Sequence, residues 1–337
     1  MPDIDLATLR RAPALAAVGD IGGTNARFAL AGVVDGRLQL FAMRKYLCRD
    51  YPTVEDALAA YFSAVAEQGV DQPRVLAIDV AGPVTDGEAS LTNAHWKFSS
   101  RGLAKRFDLR IAQLVNDYAA LAKAGDTLIE VSAPIGGVAD RPEDGTIVVL
   151  GAGTGFGVSG FTRNAGVEAI HSTEGGHIGF APATDEQVEI LKFFMARFGR
   201  VSIERILSGQ GLVDLDEALC GLHGRAYSPL TPEQLTEDDC DDPARIGALV
   251  ATFWELMALI AGDYALAYGA RKGVYIAGGV SERLFPRLDH AAFRASFENK
   301  GRFADYCAAI PTRIILEPER AALLGAARFA FEQLAQT

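Results

Sequence analysis

Two glycine-rich stretches carry the residue types best suited to holding a polyphosphate. They are Val18-Gly19-Asp20-Ile21-Gly22-Gly23-Thr24-Asn25-Ala26-Arg27 and Leu150-Gly151-Ala152-Gly153-Thr154-Gly155-Phe156-Gly157-Val158. Glycine reaches backbone conformations closed to other residues and lets a ligand approach without a Cβ in the way. Successive bare N–H groups in such a turn form an anion-binding concavity. Two of them in one chain suggest two jaws on one polyphosphate. Asp117 is the group placed to do chemistry beside them, since transfer of a phosphoryl group to a hydroxyl needs a base for the proton. It follows the apolar run 111–115 and precedes a helical stretch at 118–124, near the carboxyl edge of a strand, where α/β folds bind ligands. Read alone, the same residue also suits the N-cap of a helix beginning at Tyr118.

The segment after each loop decides the fold around it. The Gly-x-x-x-x-Gly-Lys-Ser/Thr pattern is absent, and Phe156 and Val158 occupy the places where the last glycine of a dinucleotide fingerprint would fall. Both of those motifs also require a helix after the loop, whereas 27–33 and 158–161 read as second strands. Strand, glycine turn, strand is a phosphate-binding β-hairpin, the arrangement of the actin-like ATPases. The wider pattern agrees. Strands at 14–19, 27–33 and 37–46 precede a helix from Val54 to about Gln68 capped by Thr53, a buried strand at 74–80, a strand at 111–115 and the helix 118–124. The series restarts with strands at 146–150, 158–161 and 167–171, a helix from about Glu186 to Phe198 and a strand at 274–277. Run twice, this is a doubled ribonuclease-H-like α/β order.

Length and composition are compatible with such an enzyme. Single cores stop growing at roughly 250–300 residues, so a chain of 337 residues is expected to hold two domains. Its net charge of −11 argues against a nucleic-acid partner. Substrate anions must then be held by local amides and a metal. Cys48, Cys220, Cys240 and Cys307 have neither metal-ligand spacing nor a disulfide pattern and are expected to be free thiols in a reducing cytoplasm. The apolar window 251–270 is broken by Glu255 and Asp263 and reads as a buried helix, not a membrane span. The polar segment 221–246, with its acidic run 237–242, reads as a solvated surface loop.

The chain resembles the bacterial glucokinases, the ATP-dependent type within the hexokinase-like superfamily, almost from end to end. Six segments carry the resemblance in family order: the two glycine loops, Leu114-Val115-Asn116-Asp117-Tyr118, Glu174-Gly175-Gly176-His177, Ser202-Ile203-Glu204-Arg205-Ile206-Leu207-Ser208-Gly209, and Ala277-Gly278-Gly279-Val280. It implies two ribonuclease-H-like (actin-like ATPase) domains with a cleft between them. The smaller would comprise 1–127 plus about 318–337 and the larger about 128–317. The implied reaction moves the γ-phosphoryl group of ATP to the 6-hydroxyl of glucose, with Asp117 as base and Asn116 on a sugar hydroxyl. Asn93, Glu174, His177 and Glu204 would complete the sugar site. Gly22, Gly23, Thr24, Asn25, Gly151, Gly153, Thr154 and Gly155 would bind phosphates, and Gly278 and Gly279 would leave flat space against adenine. Mg²⁺ keeps several waters and leans on one or two carboxylates, so Asp20 is expected to reach it through water. A homodimer is implied as well.

Blander readings stand beside these. Asp20 could cap its turn, His177 could be structural or a zinc ligand, and Glu204 could be a solvated helix residue. Trp96 could stack on a sugar or lie in the core. A kinase of fructose, mannose or an amino sugar is the nearest alternative. The related repressor–kinase group carries a cysteine-rich zinc motif after the sugar histidine, where this chain reads Ile178-Gly179-Phe180-Ala181-Pro182. A non-catalytic sugar-binding regulator would need a DNA-binding helix pair, and a polymerising actin-like protein would leave Asn116-Asp117 with Glu174, His177 and Glu204 unexplained.

Overall fold

A computed structural model describes residues 15–91, 96–137, 142–237 and 242–335. The backbone divides into two compact units, Met1–Val131 with Glu317–Thr337, and Ser132–Leu316.

In the first unit, β1 (Leu15–Ile21), β2 (Asn25–Val34) and β3 (Arg37–Leu47) form a meander. Then come α1 (Val54–Ala66), β4 (Val75–Val80), a small sheet of β5 (Val84–Thr85), β6 (Glu88–Leu91) and β7 (Trp96–Ser99), α2 (Ser100–Phe107), β8 (Ile111–Asn116) and α3 (Asp117–Lys123). The main sheet runs β3-β2-β1-β4-β8. β1 is antiparallel to β2 and parallel to β4, and β4 is parallel to β8.

Strand alternation gives this sheet two unlike faces. Ala17, Phe28, Leu30, Leu76 and Ile78 pack against Val54, Leu58 and Tyr61 of α1. Ala16, Val18, Ala29, Ala31 and Ala77 meet Leu323, Ala326, Ala327 and Ala330 of the C-terminal helix, Pro318–Ala335. Small side chains on that face let the helix come close, and the approach extends to α3: a Cβ added at Gly325 would overlap the carbonyl of Ala120. Gly325→Ala is therefore expected to destabilise the fold by roughly 1–3 kcal/mol or more, through overpacking against backbone. A urea-unfolding midpoint equal to the wild type's would contradict this close approach. Trp96 belongs to the core on the opposite face, 2% exposed, with its indole N–H donated to the Tyr51 carbonyl at 3.2 Å. It is not a sugar-stacking platform.

The second unit repeats the order. β9 (Ser132–Pro134) precedes the meander of β10 (Gly145–Ala152), β11 (Phe156–Asn164) and β12 (Val167–Thr173). Helices α4 (Asp185–Phe198), α5 (Ile203–Ile206), α6 (Gly209–Leu222), α7 (Pro232–Thr236) and α8 (Pro243–Tyr268) lead to β13 (Gly273–Ala277). After it come α9 (Gly279–Leu284), α10 (His290–Glu298), α11 (Ala304–Ala308) and β14 (Thr312–Ile315). The sheet runs β12-β11-β10-β13-β14-β9. α8 is long and apolar enough to cross a membrane by length and composition alone, but 67% of its apolar window is buried within the protein. It is the central core helix of this unit.

The polar segment 221–246 is more ordered than a solvated loop. Thr231 and Gln234 close a capping box on α7, with Pro232 at the first helical position. Arg245 makes a buried ion pair with Asp216 and donates to the Ser228 carbonyl at 2.7 Å, tying the segment down. The centre of the acidic run, 238–241, lies outside the described residues, as does Cys240. Cys48, Cys220 and Cys307 are buried free thiols.

Candidate active site

In the first unit the glycine turn joins β1 to β2. The Gly22 N–H donates to the Asn25 carbonyl at 2.9 Å and closes it. The carbonyls of Thr24 and Gly22 accept from Cys48, through its N–H at 2.9 Å and its thiol at 3.5 Å, which ties the turn to the end of β3. The N–H groups of Gly23 and Thr24 meet no backbone acceptor among the described residues, and bare adjacent amides of this kind suit an anion.

Asp20 lies at the carboxyl end of β1 and Asn116 and Asp117 at that of β8. The capping role falls to Asn116, not to Asp117. The Asn116 side-chain oxygen accepts from the N–H groups of Tyr118 and Ala119 at 3.0 and 3.2 Å, so the helix starts one residue earlier than the pattern suggests. The Asn116 amide nitrogen donates to the Gly82 carbonyl at 3.2 Å and to Asp117 Oδ1 at 2.9 Å, and Tyr118 N–H reaches the same Oδ1 at 2.9 Å. Asn116 therefore orients Asp117. Burial pushes the Asp117 carboxyl up to about 6, against the Tyr118 N–H, with the Asp20 charge adding to the rise. A carboxylate tuned in this way is a competent base near neutral pH.

Asp20 Oδ2 accepts from Arg27 at 2.8 Å, and the same guanidinium holds Glu319 at 3.0 Å. Parallel pairing of β1 with β4 sets Asp20 opposite Asp79, a residue the sequence pattern does not single out. Asp79 is fully buried on the small-residue face, and among the described residues neither of its oxygens has a hydrogen-bond partner of ordinary geometry. Its neighbour is the Asp20 carboxyl, a contact that becomes a hydrogen bond only when one of the two is protonated. Burial first, then the charges of Asp20 and Asp117, raise Asp79 well above the ordinary carboxylate range, while burial outweighs Arg27 in raising Asp20. The signal for Asp79 in the sequence is one carboxylate inside the otherwise apolar run 75–80.

Among the described residues, no group of three or more His, Cys, Asp or Glu side chains could hold a metal. Asp20, already engaged by Arg27, fits a metal carried in by a nucleotide and met through water better than one caged by protein.

In the second unit the glycine turn joins β10 to β11. The Gly153 N–H donates to the Gly155 carbonyl and the Gly153 carbonyl accepts from Gly209 N–H, both at 2.8 Å. The amides of Thr154 and Gly155 meet no backbone acceptor among the described residues. Gly151 has a packing reason of its own, since a Cβ there would overlap the backbone of Ala277 on β13. Gly278, at φ 94°, likewise leaves no room for a Cβ against Ala152. A Cβ on Gly153 would stand 4.0 Å from the Gly279 nitrogen, so the loop and the Gly278-Gly279 turn are neighbours, and Gly279 opens onto free space.

Glu174, His177 and Glu204 converge. Glu174 and His177 flank the short turn Gly175–His177 after β12. Residues 178–180 pair with 201–203, through Phe180 N–H to the Val201 carbonyl and Ile203 N–H to the Ile178 carbonyl, both at 3.1 Å, and this brings α5 alongside. His177 Nδ1 then lies 3.7 Å from Glu204 Oε1, and Nε2 lies 4.0 Å from Glu174 Oε2. Two carboxylates around an exposed imidazole make a donor-and-acceptor surface suited to hydroxyl groups. Asn93 lies outside the described residues.

A family model described as glucokinase matches residues 17–333. A glucokinase of Caulobacter sp. strain K31 is 43% identical over 318 residues, covering 93% of this chain and 94% of its own. The crystal structure of a glucokinase from an Antarctic psychrotroph superposes with a TM-score of 0.86 at 31% identity, covering 94% of this chain and 99% of that one. A Streptomyces griseus glucokinase of the ROK family, solved with glucose and AMPPNP, shares the fold at a TM-score of 0.58 and 19% identity, covering 94% and 99%. With its two glycine turns, its oriented aspartate and a family match over nearly its whole length, this chain belongs to the glucokinase family.

Proposed function

We propose that this protein transfers the γ-phosphoryl group of ATP to the 6-hydroxyl of glucose, giving glucose 6-phosphate and ADP. The observation that carries the reading is Asp117, which stands at the carboxyl end of β8, is oriented by Asn116 and Tyr118, and has its carboxyl raised to about 6. The strand order repeated in both units supports reading each as a ribonuclease-H-like half of an actin-like ATPase.

Glu174, His177 and Glu204 take the sugar hydroxyls in this reading. The amides of Gly23 and Thr24, and of Thr154 and Gly155, take phosphate oxygens. Asp117 accepts the proton of the 6-hydroxyl as that oxygen bonds to the γ-phosphorus and the bond from phosphorus to the leaving ADP oxygen breaks. A magnesium ion bound with the nucleotide would neutralise charge on the phosphoryl oxygens, and Asp20 is the residue proposed to meet it through water. Asn116 positions Asp117, and its side-chain oxygen, already accepting two helix amides, is less free for sugar than the resemblance implies. The homodimer implied by the resemblance and the cytoplasmic setting expected from the unpaired cysteines belong to the same proposal.

The test is ADP release with magnesium and ATP over a panel of glucose, mannose, fructose and N-acetylglucosamine. Turnover with glucose is expected, with kcat/KM rising with pH as Asp117 loses its proton near the value of about 6. Turnover confined to another sugar would keep the base and change the substrate. No ADP release with any sugar would overturn the reading.

A further inference from the structure

Glu204 divides its carboxylate between two tasks. Oε1 faces His177 Nδ1 at 3.7 Å, and Oε2 accepts the Phe156 N–H at 2.9 Å at the end of the second glycine turn. The turn is shaped around that contact, because a Cβ on Gly155 would occupy the position of Glu204 Oε2. Gly176, in the segment carrying His177, lies so close to the Phe156 carbonyl that a Cβ there would overlap it. The other end of the turn is held by the Gly209 N–H on the Gly153 carbonyl at 2.8 Å. Both anchors come from the stretch 204–209, and Glu204 itself is fixed by the buried Ile203 and Ile206 on either side.

We propose that Glu204 is a positioning residue for the second phosphate loop, holding the Gly155-Phe156 peptide so that the Thr154 and Gly155 amides face the nucleotide, in addition to its place among the sugar-facing groups. This deepens the reading under Proposed function and rests on it. A group that only bound sugar would leave nucleotide affinity untouched when no sugar is present. A strut of the loop sets that affinity with the sugar site empty.

The experiment is calorimetric binding of ADP with magnesium, without sugar, to the wild type, Glu204→Gln and Glu204→Ala. Both substitutions remove the charge, but only glutamine keeps an acceptor for the Phe156 N–H. Glu204→Ala is expected to bind ADP about fivefold more weakly than Glu204→Gln, the worth of one net hydrogen bond of about 1 kcal/mol. Gly155→Ala, which displaces the carboxylate while leaving Glu204 in the sequence, is expected to weaken ADP binding as well and guards against a folding defect peculiar to position 204. Equal ADP affinities for the glutamine and alanine variants would overturn the proposal. Absence of ADP binding by the wild type would instead overturn the kinase reading itself.

Discussion

Asp117→Asn is expected to lower kcat by about 10²–10⁴-fold, the contribution of a positioned general base, with glucose affinity close to the wild type's. The substitution is nearly isosteric. The asparagine side-chain oxygen can still accept from Asn116 Nδ2 and Tyr118 N–H, the two bonds that now converge on Asp117 Oδ1 at 2.9 Å each. What is lost is the second oxygen's capacity to take a proton. The helix start should survive, because its cap is Asn116. Steady-state kinetics together with direct glucose binding separate the two effects. A variant that keeps more than a tenth of the wild-type kcat would remove Asp117 from the role of base. One that loses glucose binding as well would make it a ligand first.

Asp79→Asn is expected to stabilise the protein at neutral and mildly alkaline pH and to flatten its stability profile. Burial and the neighbouring Asp20 and Asp117 charges raise the Asp79 carboxyl in the fold, so between the unfolded-state value near 3.8 and that raised value the fold is expected to keep a proton that the unfolded chain has released. Such a group contributes fully below the unfolded-state pKa, and its contribution fades as pH rises toward the raised folded-state value. Each extra proton bound by the fold gives a slope of about 1.4 kcal/mol per pH unit. Asp117 adds a second proton only between 3.8 and about 6, so Asp79 is expected to carry the slope above that range. Asparagine can donate to Asp20 without ionising. Urea unfolding at pH 5 to 8 should show the variant gaining on the wild type by up to about 1.4 kcal/mol for every pH unit. Parallel profiles across that range would mean that Asp79 is already ionised in the fold.

Stability and catalysis meet in this cluster. The Asp20 charge falls beside the proposed base and is among the causes that raise Asp117. Arg27 offsets part of that charge and ties Asp20 to Glu319 at the start of the C-terminal helix. In the sequence, Arg27 is only the end of a motif, and the segment around Glu319 has no assigned contribution. The ion-pair chain gives both residues a reason to be there.

Much of the site was legible in the sequence because its signals are local. Apolar runs ending in glycine turns and followed by second apolar runs located both hairpins, and the place of Asn116-Asp117 between a strand and a helix marked Asp117 as either a helix cap or the proposed base, with the family resemblance favouring the base. The order of elements by itself implied a doubled α/β arrangement. Where a contact joins residues remote in the chain, local pattern was silent. Strand register set Asp79 against Asp20, and the small-residue face that buries them exists only once the C-terminal helix docks. Pairing of 178–180 with 201–203 carried Glu204 both to His177 and to the Phe156 amide. The glycines show the same division. Their presence in turns is readable from spacing, but only packing reveals that Gly151 is required by the backbone of β13 and Gly155 by a carboxylate. Sequence by itself determined which elements form and which residues end them, since propensity and periodicity act over a few residues. Tertiary structure alone decided which charges share a buried space, because that depends on register and helix docking between segments that no local pattern connects.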